Sequence, residues 1–291
     1  MAATGGSGRS GLACLLAGEL AAAADTVVLD LGVRLASPWP AWTQTTPAGE
    51  AGQAGRAGPG AGGLAALPSD RPHTRDAIRS AAVRRGAFDV LTDGREWNAP
   101  PLALPSEPAA WYQLAAAGGW RIVVADTAHP VGYDVLAARC AGLPGATRGW
   151  CELPYSVPVL CAAATAHGVQ VLQQAVMAMT AEGMPLRRTV VVLVGLDGGR
   201  APAVVRAAAA MLADRAYDVL ELPHDADVRA HGLRGPGRPR PRTRQAAARI
   251  AEAVLEAAHS AWGEPLPDAP VPAPAPAFEP TPQTAPIPTA K

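Results

Sequence analysis

The chain has almost no lysine. Of its 291 residues only Lys291 is one, and every other basic residue is arginine. Chemistry that needs a lysine inside the fold is therefore unavailable. Cysteine is also scarce. Cys14, Cys140, Cys151 and Cys161 form no CxxC pair and have no histidine at metal spacing, which argues against a zinc site and for small buried apolar residues. No run of 18 apolar residues appears, nor does a charged segment leading into an apolar signal core, so the expectation is a soluble cytoplasmic protein without a membrane anchor. Net charge is absent as well, with 25 Lys+Arg against 25 Asp+Glu. Overall charge gives no handle for nucleic acid or anionic membrane, though a local patch still could.

What is present suffices for a core, since 49% of residues are hydrophobic. Gly 30 and Pro 30 exceed ordinary usage and gather in three segments. Residues 49–63 hold seven glycines and read as a flexible insert. Residues 232–241 are a second loop. From Glu264 onward the tail carries ten prolines, which disfavour helix and central strand and suit extended polyproline, so 264–291 reads as a disordered tail able to dock a partner and 1–263 as the folded domain.

Short β-branched runs alternate with longer Ala/Leu-rich ones. The strand candidates are 26–31, 88–92, 121–126, 157–162, 189–194 and 218–222. Helix candidates are 11–24, 169–182, 202–215 and 243–262. Near-continuous apolar strands such as TVVVLV belong to sheets covered on both faces, so the pattern predicts a doubly wound, mostly parallel α/β fold.

The run Gly5-Gly6-Ser7-Gly8-Arg9-Ser10 leads directly into an apolar helix. Such a turn concentrates backbone N–H groups and the positive helix end at one point, which suits a phosphate. Ser10 stands where a P-loop hydroxyl meets Mg²⁺. Two apolar strands end in Asp30 and Asp126, acids placed to serve a Mg²⁺-nucleotide at one sheet edge.

In this order of motifs the chain resembles the deviant-Walker P-loop ATPases of the ParA/MinD family. The segments VPVLCAAATAHGVQVLQQAVMAMTAEGMPLRRTVVVLVGL and VLELPHDADVRAHG extend the likeness over roughly residues 1–262, with 49–63 and 70–119 poorly matched. The resemblance implies ATP and Mg²⁺ as cofactors, phosphate contacts from Gly5 to Ser10, metal contacts from Ser10 and Asp126, and catalytic roles for Asp30 and Arg9. It also implies a base-proximal loop at Pro223 and Asp225, and a homodimer.

The departures bear on activity. Thr4 stands at the signature lysine, Arg9 at the phosphate-binding lysine, Gly11 at the second hydroxyl residue, Gly32 at the second acid and Gly195 at the base-recognising position. A guanidinium is a wide fork where a compact ammonium fits between phosphates, so weak hydrolysis is expected. The leading reading is a nucleotide-binding switch or positioning protein; the alternative is a pseudo-ATPase scaffold. Only Met1-Ala2-Ala3-Thr4 precede the loop, although a P-loop is entered from a central strand. Either the sheet lacks its middle strand or the sequence starts downstream of the true start, and the second is the expectation.

Four further features have ordinary explanations. Asp93, Arg95, Glu96 and Trp97 read as a polar loop with Trp97 tucked beneath it. His129 could contact phosphate or be a surface histidine, and Asp134 reads as a first-turn helix acid. The arginines at 234, 238, 240, 242 and 244 read as a solvated loop in preference to a nucleic-acid site.

Overall fold

The computed structural model describes residues 1–43, 63–68, 72–233 and 239–270. Most of the 49–63 insert, Arg234, Arg238 and the tail beyond 270 lie outside them. Seven strands are present among the described residues: β1 (Thr26–Asp30), β2 (Val83–Arg85), β3 (Phe88–Leu91), β4 (Ile122–Asp126), β5 (Val159–Ala163), β6 (Val190–Val194) and β7 (Asp218–Leu222). All six strand candidates form. Only the short β2 went unread, because VRR carries no apolar pattern. It pairs antiparallel with β3, and every other ladder is parallel.

Ten α-helices among the described residues join them: α1 (Arg9–Leu20), α2 (Trp39–Thr43), α3 (Arg75–Ala81), α4 (Pro108–Gly118), α5 (Val131–Ala141), α6 (Ala146–Glu152), α7 (Ala166–Ala181), α8 (Ala203–Ala213), α9 (Ala226–His231) and α10 (Pro241–Trp262). Local chemistry starts several of them. Pro108 and Pro241 occupy first-turn positions, where the missing N–H costs nothing, and the Thr165 hydroxyl accepts from Gly168 N–H at the start of α7.

Side-chain alternation along the strands divides the core into two layers. Val28, Val90, Val124, Val192 and Leu220 meet Leu12, Leu16 and Leu20 of α1 and Ile250 and Ala257 of α10. On the opposite face Leu160, Val191 and Leu193 meet α5, α7 and α8, while Val27, Leu29 and Leu91 meet α3 and α4 through Ile78, Trp111 and Ala115. The sheet is doubly wound, as the sequence predicts.

The strands form two blocks, β2-β3-β1-β4 and β5-β6-β7. Met1–Ala3 joins them, in the place the sequence reading left without a strand. Ala2 bridges in parallel to both Pro130 and Cys161. Ala3 N–H donates to the Cys161 carbonyl at 2.9 Å, Cys161 N–H to the Met1 carbonyl at 3.1 Å, and Val131 N–H to the Ala2 carbonyl at 3.0 Å. A stub of three residues thus stands mid-sheet and delivers the chain to the glycine-rich turn.

Residues 264–270 are exposed and make two hydrogen bonds to the domain: Tyr155 Oη donates to the Asp268 carbonyl and Tyr112 Oη to the Pro270 carbonyl, at 3.2 and 2.8 Å. One expectation about the periphery changes. Trp97 is not tucked under its loop but 76% exposed, because Arg34 occupies the space beneath and bonds the carbonyls of Trp97 and Ala99. Of the cysteines, Cys140 is exposed and the other three are buried.

At Gly168 two effects oppose each other. Alanine favours a helix over glycine by about 1 kcal/mol, but a Cβ there would lie 2.1 Å from the Ala163 carbonyl oxygen. The clash is with backbone that cannot yield, so Gly168→Ala is expected to lower stability by about 2 kcal/mol or more, read by chemical denaturation. A stabilised variant would refute this account of the β5–α7 turn.

Candidate functional site

The site lies at the carboxyl ends of the parallel strands, where the stub enters the turn Thr4–Gly8 and the turn enters α1. Gly6 and Gly8 have φ of 72° and 77°, a left-handed backbone that side chains disfavour. A Cβ at Gly8 would also stand 2.9 Å from Val194 Cγ1 at the end of β6. Gly8 is the N-cap of α1 and supplies no side-chain bond, so the first-turn N–H groups keep their directions for another acceptor. Ser7 faces inward, its Oγ 3.4 Å from Cys161 Sγ. Thr4 Oγ1 bonds only the neighbouring Gly5 carbonyl at 3.1 Å.

Asp30 and Asp126 are register partners across β1 and β4, so the two acids stand side by side at this edge. Their surroundings differ. Asp126 Oδ1 receives Arg9 Nε at 2.5 Å and Oδ2 receives the Trp39 indole N–H at 2.8 Å. Arg9 thus turns back onto the strand-end carboxylate; its side chain is 22% exposed and that of Asp126 2%.

Among the described residues Asp30 has no cationic partner in contact. Its Oδ2 accepts from Thr92 Oγ1 at 2.6 Å and Ser37 Oγ at 2.8 Å, and Oδ1 accepts Gly32 N–H at 3.1 Å. Burial lifts its pKa to about 6, the hydrogen bonds from Thr92, Ser37 and Gly32 pull against that, and the Asp126 charge adds to the rise. Thr127, next to Asp126, holds a buried hydroxyl with no partner among the described residues.

Sequence reasoning missed Ser37, Trp39 and Thr92, which fix the two carboxylates. The one available signal was position: all three closely follow apolar strands that end at the site. His129, near the same edge, bonds Thr147 Oγ1 at 3.1 Å, and burial lowers its pKa, keeping the ring neutral. Asp134 stands in the first turn of α5, as read, and its carboxylate also accepts N–H bonds from Ala146 and Thr147 at the start of α6.

Pro223 and Asp225 follow β7. Asp225 Oδ1 accepts Asp227 and Val228 N–H, and Oδ2 accepts Arg240 N–H and Thr243 Oγ1, both at 2.8 Å. Burial raises its pKa, but these bonds outweigh it and hold the carboxyl below its ordinary value. In this arrangement Asp225 ties α9 to α10.

The turn fits an anion: left-handed glycines, an uncapped helix start and an adjacent guanidinium all favour negative charge. A divalent ion does not fit the side chains as they stand. Both Asp126 oxygens carry N–H donors, and no cluster of three His, Cys, Asp or Glu suited to a metal occurs among the described residues.

Comparison with solved structures gives the class. A plasmid partition protein of Borrelia burgdorferi bound to AMPPNP matches with a TM-score of 0.53 at 10% identity, over 88% of this chain and 95% of that one. The MinC:MinD cell division complex of Aquifex aeolicus matches at 0.53 and 12%, over 87% and 93%, and the cell division ATPase MinD of Pyrococcus furiosus at 0.51 and 13%, over 87% and 95%. No family model and no curated protein matches the sequence. The chain therefore has the fold of the ParA/MinD ATPases, at identities that speak for the fold alone.

The raised Asp30 pKa has a testable sign. A folded-state value near 6 against an ordinary value of 3.8 means that the protonated carboxyl is favoured by folding. Its contribution is fully present below about pH 4 and is lost as pH rises through about 6. Asp30→Asn should remove that dependence, so wild type loses up to about 3 kcal/mol relative to the variant between pH 4 and 7. Melting temperatures of the two proteins across this range decide it; parallel curves would show that Asp30 is ionised in the fold at all these pH values.

Proposed function

We propose that the protein is a ParA/MinD-like nucleotide-binding switch or positioning protein whose Gly5–Ser10 turn receives the phosphates and whose hydrolysis is weak. The observation that carries this reading is the 2.5 Å ion pair between Arg9 and Asp126. The cation of the turn is present, but it is held by the strand-end acid. A phosphate at the turn competes with Asp126 for Arg9, so binding exchanges one anionic partner for another. That exchange weakens affinity, and it couples occupancy of the turn to α2 through Trp39, which shares Asp126.

With Arg9 on Asp126, neutralisation of phosphate charge falls to the start of α1 until Arg9 exchanges the acid for the phosphate. Ser10 and Asp126 would serve Mg²⁺ only with Arg9 withdrawn. The fork of an arginine matches two phosphate oxygens but is broader than an ammonium. Electrostatic stabilisation is most of what a protein contributes to phosphoryl transfer. Loss of lysine at both Thr4 and Arg9 then costs several kcal/mol of barrier, on the order of a thousandfold in rate. Asp30, held by the Thr92 and Ser37 hydroxyls and the Gly32 N–H, is the candidate to orient water. Pro223 and Asp225 remain the candidate base-proximal loop, the latter only if its bonds to Arg240 and Thr243 open. A homodimer, a protein partner for the proline-rich tail and a cytoplasmic location belong to this same reading. Among the described residues no helix is long and apolar enough to cross a membrane.

One observation favours the second reading, a nucleotide-independent scaffold: Arg9, Asp126 and Trp39 already satisfy one another. Titration with fluorescent ATP and GTP, with and without Mg²⁺, separates the two. The switch reading expects saturable binding, and a ligand at a hundred times its Kd adds about 2.7 kcal/mol of stability. Gly8→Val should abolish the accompanying rise in melting temperature. Phosphate release should be slow and should rise at least tenfold in Thr4→Lys/Arg9→Lys. No thermal shift at millimolar nucleotide would leave the scaffold reading standing, and a wild type as fast as the double variant would remove the argument from Arg9.

A further inference from the structure

After α10 the chain continues as Glu264-Pro265-Leu266-Pro267-Asp268-Ala269-Pro270. Proline at 265, 267 and 270 supplies no N–H, and the stretch forms neither helix nor strand, so its carbonyls take their donors from outside the segment. Two of them meet tyrosines. Tyr155 Oη reaches the Asp268 carbonyl and Tyr112 Oη the Pro270 carbonyl, acceptors two residues apart, or about 6 Å along an extended polyproline segment.

The two tyrosines come from separate elements, Tyr112 from α4 and Tyr155 from the turn between α6 and β5. Burial first and Tyr155 second raise the pKa of Tyr112, which keeps its phenol a donor. Tyr155 is set in place at a cost. Among the described residues it is the non-glycine residue of positive φ, 54°, a backbone that a side chain disfavours. Its ring meets that of Trp262, at the end of α10, edge to face with centroids 5.4 Å apart. Arg188 lies over the Trp262 ring at 5.1 Å and is itself anchored by the Ser156 carbonyl at 3.0 Å and by the Cys151 carbonyl.

Aromatic grooves read polyproline by this chemistry: rings flank the segment while polar tips take carbonyls that no internal hydrogen bond uses. Proline has little conformational freedom to lose on being held, so the contact costs little entropy. We propose that Tyr112, Tyr155 and Trp262 form a polyproline-reading site and that residues 265–270 of the same chain are its resident ligand.

The ligand is exposed and bonded at two points, and it stays because it is tethered. Only Gly263 and Glu264 separate Trp262 from Pro265, and so short a link presents the segment at millimolar effective concentration. A proline-rich peptide from outside must displace it. The pattern Pro-x-Pro recurs at 270–276, 280–282 and 286–288, so the tail carries further copies of the ligand, and the length it offers to a partner begins beyond Pro270. Occupancy of this site does not depend on the glycine-rich turn or on a nucleotide there.

Full-length protein with serine in place of the prolines at 265, 267, 270, 272, 274 and 276 keeps the domain and vacates the site. A fluorescent peptide of residues 264–270, titrated by anisotropy, is expected to bind this variant saturably and at least tenfold more tightly than wild type, where the tethered segment competes. Adding Tyr112→Phe and Tyr155→Phe to the serine variant removes both donors, leaves the rings and should weaken the peptide at least fivefold. If that combination fails to fold, Tyr155→Phe alone must show the loss. A peptide with its prolines changed to serine should bind none of these proteins. No saturable binding at millimolar peptide, equal affinity for wild type and the serine variant, or equal affinity without the hydroxyls overturns the proposal. So does proline-dependent dimerisation of wild type in sedimentation, which would seat the segment on a second copy.

Discussion

Three residues hold the two halves of this sheet in register. The bonds of Met1, Ala2 and Ala3 to Val131 and Cys161 are the only strand ladder described between β4 and β5, and the glycine-rich turn hangs from them directly. Elsewhere the fold is secured by two layers of helices whose side chains fill both faces. Helices can hold two blocks together by packing, but they do not fix a backbone to a fraction of an ångström. Hydrogen bonds between strands do, and a phosphate-sized turn depends on that fixing.

Charge at the strand ends follows from the same placement. β1 and β4 pair residue for residue, so their terminal acids meet at a buried edge, where burial first and the neighbouring charge second disfavour ionisation of Asp30. The protein resolves the conflict asymmetrically. Asp126 takes the guanidinium of Arg9 and the indole of Trp39, and Asp30 takes only neutral or backbone donors and is pushed up to about 6. The arginine that departs from the lysine of the resembled loops thereby acquires a second role, as counter-ion to a strand-end acid. A compact ammonium on a shorter reach would divide its charge differently between the phosphate and that acid.

The order of elements was legible because it rests on local pattern. Apolar β-branched runs marked six of the seven strands, and Ala/Leu runs marked α1, α7, α8 and α10. The glycine turn and both strand-end aspartates were legible for the same reason, each being a contiguous signature. The short helices α2, α3, α6 and α9 were not read, since five to seven residues give no helical period. The 11-residue α4 was not read either, and α5 was read only as a helix-like stretch at Asp134. Asp225 was read from a two-residue motif, and its partners Arg240 and Thr243 lie far along the chain.

The sequence by itself therefore determined a doubly wound parallel α/β fold, the position of an anion-receptive turn and the lack of any lysine to serve it, since composition and period are properties of the chain alone. Only the tertiary structure decided that Arg9 faces Asp126, that Trp39 shares that carboxylate and that burial pushes the Asp30 carboxyl up to about 6. Each depends on which residues meet across the sheet, and on how much water is left between them, and no local spacing encodes either.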